Sequence, residues 1–211
     1  ECLSRGFQVL VLSNAMKPLA HKKVDLLDLK ERYGNQLGLR VSVDHYSQKE
    51  HESLRGENAW EPMLKGLSWL SQNGFKVAVA GRTLWHESEM SARAGYQKMF
   101  EENNIAIDHT DPISLVLLPE MDEQAEVPEI TTACWDILGV RPEAMMCATS
   151  RMIVKRKGDE MPVVMPCTLL PYDDNFVMGT SLEEAKAPIK LNHPHCSKFC
   201  VLGGGSCSKS E

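Results

Sequence analysis

Cysteine is the residue type in this chain most able to do chemistry, and its seven copies are unevenly spread. Cys196, Cys200 and Cys207 fall close together near the C-terminus, with His193 and His195 just before them and Gly203-Gly204-Gly205 between the second and third thiols. Thiolates are soft donors, and a glycine-rich stretch lets the backbone approach a bound centre closely. Cys147 and Cys167 stand upstream at the two ends of an expected hairpin, which makes them neighbours in space. Cys134 is a sixth candidate. The spacing points to thiolates holding an iron–sulfur cluster, with zinc as the rival because four thiolates also satisfy its tetrahedral shell. An odd cysteine count in a chain with ample apolar content argues against a secreted disulfide framework.

A second set of polar groups is expected at the ends of strands: Ser13-Asn14, Ser42 with Asp44, Arg82-Thr83, and Glu120. Ser42 and Asp44 are two apart, so their side chains share a face. A carboxylate beside a hydroxyl suits a ribose or an amino group, and Arg82 can offer its planar fork to a ligand carboxylate. The competing reading is that these residues are loop and helix caps, the ordinary work of Ser, Asn and Asp. His21, His45, His51, His86 and His109 are scattered among polar neighbours and are expected on the surface. Met145, Met146, Met152 and Met165 read as core filler. Trp60 and Trp69 read as packing, whereas Trp85 is close enough to a strand end to line a pocket.

The elements that must position these groups alternate. Short apolar runs at 7–12, 39–44, 76–80 and 114–118 read as strands, the first as one buried on both faces. Helices are expected from Pro18 to about Tyr33 with Leu26, Leu27 and Leu29 inward, from Glu57 to Asn73, and from Glu87 to Asn103 with Met90, Ala94, Met99 and Phe100 inward. The stretch from His45 to Gly56 reads as a polar loop. This alternation predicts an α/β fold with parallel strands and right-handed crossovers, a barrel or an open sheet. Gly6 reads as the residue closing a helix whose beginning is missing, so the chain is expected to be the C-terminal part of a longer polypeptide.

After about residue 125 the pattern changes. A short helix at 130–138 precedes two strands, Arg151–Lys155 and Pro162–Met165, joined by the turn sequence Lys157-Gly158-Asp159-Glu160. Another short helix, 181–186, leads to the cysteine loop. The expected division is therefore 1–125 and 126–211, the second part a small cysteine-rich α+β module too poor in apolar residues to stand without a staple.

The bulk properties narrow the function. With 211 residues, 43% hydrophobic and 25% charged, the composition is that of an ordinary globular protein. A balance of 23 basic and 29 acidic residues, net −6, argues against nucleic-acid binding by the whole chain. No apolar run reaches the roughly 18 residues of a membrane span, and no signal-peptide pattern is present. A cytoplasmic protein without a membrane partner is expected.

Taken in order, these motifs resemble the later half of radical S-adenosylmethionine enzymes that carry a C-terminal SPASM or twitch-like auxiliary domain. Val11-Leu12-Ser13-Asn14 is similar to that family's third-strand Thr-Asn-Gly. Val41-Ser42-Val43-Asp44 followed by His51-Glu-Ser-Leu-Arg55-Gly56 is similar to its Ser-x-Asp and His-x-x-x-Arg-Gly. Cys147, Gly158 and Cys167 resemble its Cys…Gly…Cys hairpin, and Cys196, Cys200 and Cys207 its terminal cluster. The resemblance implies strands three to six of a six-stranded partial (β/α) barrel, followed by the auxiliary module. It implies that Ser13, Asn14, Ser42 and Asp44 bind S-adenosylmethionine, that Arg55 or Arg82 faces its carboxylate, and that the cysteines hold an auxiliary [4Fe–4S] cluster. It further implies reductive cleavage of S-adenosylmethionine to a 5′-deoxyadenosyl radical, hydrogen abstraction from a substrate that is often a peptide, and an electron donor such as flavodoxin or ferredoxin.

This sequence departs from the family in lacking the Cys-x-x-x-Cys-x-x-Cys loop after the first strand and the Gly-Gly-Glu-Pro motif after the second. The chain alone is therefore expected to be inactive in the radical reaction. Two other readings stand beside it: a non-enzymatic binding module stapled by zinc, and an α/β enzyme using Asp44 with a nearby histidine for acid–base work.

Overall fold

The structure is a computed structural model describing residues 1–83, 87–119, 124 and 126–202. Glu120, Trp85, His86, the glycine triplet and Cys207 lie outside the described residues. The chain divides into two compact units, Glu1–Glu120 and Met121–Glu211.

In the first unit four strands, β1 (Val9–Ser13), β2 (Leu37–Ser42), β3 (Lys76–Arg82) and β4 (Leu115–Leu118), form one parallel sheet in sequential order. The registers Val9↔Leu37, Gly38↔Lys76 and Val79↔Leu115 align their alternating side chains. Between them run α1 (Lys17–Ala20), α2 (Lys23–Tyr33), α3 (Gln48–Arg55), α4 (Trp60–Gln72) and α5 (Glu89–Glu102). The strand residues in the core are Val9, Leu37, Leu39, Val41, Val77, Val79, Leu115 and Leu117, all from one face, and they meet Leu19, Leu26, Leu67, Leu70, Tyr96 and Phe100 of the helices. Fully burying each large aliphatic side chain there contributes about 1.5–3 kcal/mol. The opposite face presents Leu10, Gly38, Arg40, Ser42, Ala78 and Ala80, none of which belongs to the core. Helices therefore pack on a single face of this sheet.

Several expectations change. β1 is not buried on both faces: it is an edge strand, and Leu10 and Leu12 are exposed. The helix expected over 18–33 is broken at His21-Lys22 into α1 and α2, and Leu27 points to solvent while Leu26 and Leu29 pack. In α5 the inward residues are Ala92, Tyr96, Met99 and Phe100, whereas Met90 and Ala94 are exposed. The stretch read as a polar loop contains α3, whose one buried residue is His51.

One close approach fixes the loop after β1. Ala15 is buried with a left-handed φ of 54°. A methyl group at Gly66 of α4 would lie 1.9 Å from the Ala15 carbonyl oxygen. Because the obstructing atom is backbone, Gly66→Ala is expected to cost about 1–3 kcal/mol through overpacking. Urea unfolding measures this, and an unchanged midpoint would refute the close approach.

The second unit contains α6 (Ala133–Leu138), α7 (Met146–Thr149) and an antiparallel pair, β5 (Met152–Val154) and β6 (Val163–Met165). Short 3₁₀ turns follow at Asp174–Phe176 and Glu184–Lys186. The cysteine segment is not a loop: Cys196–Val201 is one π-helical turn. Met145, Met165, Leu170, Phe199 and Val201 are buried here, a small core that the hairpin alone does not close. Arg156 helps close it, with Nε donating to the Pro171 carbonyl at 3.1 Å and an ion pair to Asp174.

Candidate functional sites

In the second unit the hairpin register Met152↔Met165 brings the approaches to both strands together. Cys147 on α7 and Cys167 just past β6 thereby reach one cavity, and the π-helical turn carries Cys196 and Cys200 to the same cavity. Its remaining walls include Met146, Leu169, Leu170, Phe176 and Phe199, which close in to leave a cavity of about 20 Å³. Burial pushes the Cys147 thiol up from its ordinary pKa, and the neighbouring Cys167 adds to this. Burial raises Cys196 in the same way, with Cys167 and Cys147 contributing. Burial thus favours the protonated form of Cys147 and Cys196, and a bound cation would oppose that. His195 borders the cavity, donates its backbone N–H to His193 Nδ1 at 3.1 Å, and stands ring-to-edge with His193.

Cys134 does not belong to this group. It lies beside Thr131 Oγ1 at 3.9 Å and is not among the cavity-lining residues, because α6 carries it elsewhere. Among the described residues, no three His, Cys, Asp or Glu side chains stand close enough to hold a single metal ion.

In the first unit the end of β2 leads into a buried carboxylate. Asp44 is 3% exposed. Arg55 at the end of α3 grips it through Nε and, at 3.2 Å, through Nη2. Arg82 Nε at the end of β3 reaches Oδ1 at 3.0 Å, and the Arg82 backbone N–H donates to the Asp44 carbonyl at 2.9 Å. Burial alone would push the Asp44 carboxyl up. The Arg55 hydrogen bonds and the charges of Arg55, Arg82 and His51 outweigh it and hold the group below its ordinary value of 3.8. The two arginines expected to face a ligand carboxylate therefore spend donors on Asp44. The sequence pattern explains the pairing, since Arg55 and the buried His51 are one turn apart on α3 and share a face.

Beside Asp44, His45 is buried and not on the surface. Its Nδ1 accepts from the Ser47 backbone N–H at 3.0 Å, which places the proton of the neutral ring on Nε2, 3.5 Å from Glu87 Oε2. The other Glu87 oxygen accepts from Tyr46 Oη at 2.6 Å, and that bond is the main reason the Tyr46 phenol is pushed up to about 12. Tyr96, raised chiefly by burial, donates to the Val43 carbonyl at 2.6 Å and fixes the strand end from below. His51 is also buried, edge-on to Trp60, and its Nδ1 has no hydrogen-bond partner among the described residues. Burial lowers its pKa, against the pull of Asp44.

The remaining candidates do local work. Ser13 Oγ accepts from the Ala15 N–H at 2.9 Å, and Asn14 Oδ1 from the Met16 N–H at 3.2 Å, so both close the turn after β1. Ser42 lies half-buried on the helix-free face. His45, Tyr46, Glu87 and Tyr96 were not singled out as site residues by sequence. The spacing Ser47-x-x-Glu50 is a signal for a helix start here, although Ser47 makes no side-chain cap in the structure. No protein-family model, curated protein or solved structure matches this chain.

Proposed function

We propose that the chain is the later part of a radical S-adenosylmethionine enzyme, its second unit holding one auxiliary [4Fe–4S] cluster through Cys147, Cys167, Cys196 and Cys200. The observation that carries this is the convergence of those four thiols on one largely apolar cavity from three separate parts of the chain. The donor set fits the group: four soft ligands, walls that exclude water, and no carboxylate among the lining residues. When bound, the cluster supplies one-electron redox chemistry. The chain's own part is to present four thiolates, keep solvent away and staple the small unit.

The arrangement favours a cluster over zinc. Zinc needs four sulfurs at about 2.3 Å from a single ion, whereas a cubane binds each thiolate to a different iron. The four thiols line one cavity, and among the described residues no three of them form a site for a single ion. Cys134 is left out of the ligand set.

For the first unit the reading is a partial barrel whose strand ends receive S-adenosylmethionine. The sequential order of four parallel strands, with the core on one face of the sheet, supports that reading. Asp44 is offered as an acceptor for the ligand's ribose hydroxyls or amino group, with Ser42 beside it. Arg55 and Arg82 hold that carboxylate charged and oriented. Ser13 and Asn14 shape the adjacent turn. A peptide substrate, a flavodoxin- or ferredoxin-type electron donor and a cytoplasmic setting follow from the same proposal.

Anaerobic reconstitution of the chain with iron and sulfide tests it. The expected product is brown, with about four irons per chain and broad visible absorption bleached by dithionite. A colourless protein that takes one zinc in preference to iron would contradict it.

A further inference from the structure

Arg151 stands beside Cys147, one of the four cavity thiols, and its surroundings are unusual for a guanidinium. It is half-buried. Nε donates to the Ala185 carbonyl at 2.7 Å, and Nη1 to the carbonyls of Cys147 at 2.7 Å and Ser150 at 2.8 Å. These three hydrogen-bond partners are all neutral carbonyls, and no carboxylate among the described residues lies within ion-pair distance of it. Withdrawing a cation from water without a counter-anion is costly. Carbonyl dipoles offset part of that cost and leave the net charge standing.

The charge is aimed at Cys147. Arg151 follows it by four residues, past the end of α7, and turns back to grip its backbone carbonyl. Both residues line a second cavity, bounded by Trp135, Pro142 and Pro188, that adjoins the first at Cys147. The Arg151 charge also opposes the burial that keeps the Cys147 thiol protonated. Lys186, the other cation lining that second cavity, is engaged by Glu183 at 2.5 Å and is largely exposed, so its charge is screened.

We propose that Arg151 is the built-in counter-charge of the thiolate-ligated centre, a positioning residue that fixes the Cys147 backbone and raises the reduction potential of the cluster. This rests on the cluster reading above. Four thiolates around a four-iron cluster leave a net negative charge that grows by one on reduction. A nearby positive charge in a medium of low polarity therefore favours the reduced form. The electron would come from the donor, dithionite in the test below, and no proton is required.

The test uses the reconstituted full chain and three proteins: wild type, Arg151→Lys and Arg151→Gln. Iron and sulfide per chain are measured first, then the midpoint potential by dye-mediated titration with dithionite under electron paramagnetic resonance. Arg151→Gln, which removes the charge, is expected to shift the reduced-to-oxidised ratio at fixed potential about tenfold toward oxidised, a fall of about 59 mV for one electron. Arg151→Lys, which keeps the charge and loses the fork, is expected to retain a potential near wild type even where its iron content drops. Should Arg151→Gln fail to hold iron while Arg151→Lys holds it at the wild-type potential, the charge is again what matters. Equal potentials in all three proteins would overturn the proposal, as would equal loss of iron from both variants, since the role would then be the fork's geometry alone. Wild-type protein that takes up no iron would remove the cluster reading itself, and this inference with it.

Discussion

Replacing any one of Cys147, Cys167, Cys196 or Cys200 by alanine is expected to abolish stable four-iron loading, whereas Cys134→Ala is expected to load like wild type. The two outcomes differ because the four thiols line one cavity and Cys134 lies apart from it. The effect extends to stability. The second unit has a two-stranded sheet of three residues per strand, one-turn helices and a handful of buried side chains. A unit of this size rarely gains more than about 3–5 kcal/mol from its core. A centre bound only by the folded form adds its binding energy to folding. The loaded protein should therefore resist proteolysis across Met146–Leu202, and the alanine variants should be cut there. Iron analysis and limited proteolysis read both effects. Loading that survives Cys196→Ala, or is lost in Cys134→Ala, would contradict the assignment.

Asp44→Asn should destabilise the first unit by about 2–3 kcal/mol at neutral pH. Removing one member of a buried ion pair typically costs about 3–5 kcal/mol, because the partner charge is stranded. The lower figure applies because the side chains of Arg55 and Arg82 are 35% and 44% exposed and can recover water once released. The sign of the pH dependence follows from Asp44 being held below its ordinary 3.8. Its contribution is complete above that unfolded value and is lost as pH falls through the still lower folded one. The gap between wild type and Asp44→Asn in chemical denaturation should therefore be constant from neutral pH down to mildly acidic pH and close only in strong acid. A gap that closed on raising the pH, or the absence of one, would refute the pairing. S-adenosylmethionine binding should fall in the same variant if Asp44 contacts the ligand.

How far the sequence anticipated these features depends on what kind of signal each element carries. The strands were legible because Leu37–Ser42, Lys76–Arg82 and Leu115–Leu118 are runs of β-branched and aliphatic residues ended by polar ones. The hairpin was legible from Lys157-Gly158-Asp159-Glu160, and with it the meeting of Cys147 and Cys167. The burial of a strand was not legible, because it depends on neighbours: Val9–Ser13 is as apolar as the others, yet it lies at the sheet edge with Leu12 exposed. α3 was missed because its inward face is not apolar. Its one buried residue is His51, and Arg55 reaches Asp44, a partner eleven residues before it; hydrophobic periodicity is blind to both. Apolar residue types suggest Met90 for the inward face of α5, but it stands at the exposed first turn, whereas Tyr96 turns inward because its hydroxyl has a buried carbonyl to reach.

The site was read unevenly for the same reason. Cysteine chemistry shows in residue type alone, so the sequence offers six candidate thiols; the structure brings Cys147, Cys167, Cys196 and Cys200 to one cavity and places Cys134 apart, while Cys207 lies outside the described residues. Asp44 was named as well, but its arginine partners were cast as ligand contacts, because a sequence does not show which charge lies nearest. Nor did it show that Arg151, in a strand-like run of otherwise unremarkable residues, turns back onto the Cys147 carbonyl.

Native mass spectrometry of the anaerobically reconstituted chain tests the central claim most directly. The account predicts a single mass gain equal to one four-iron, four-sulfide cluster, with protons lost from the four ligating thiols and no gain in Cys200→Ala. A gain of one zinc, or none at all, would contradict it.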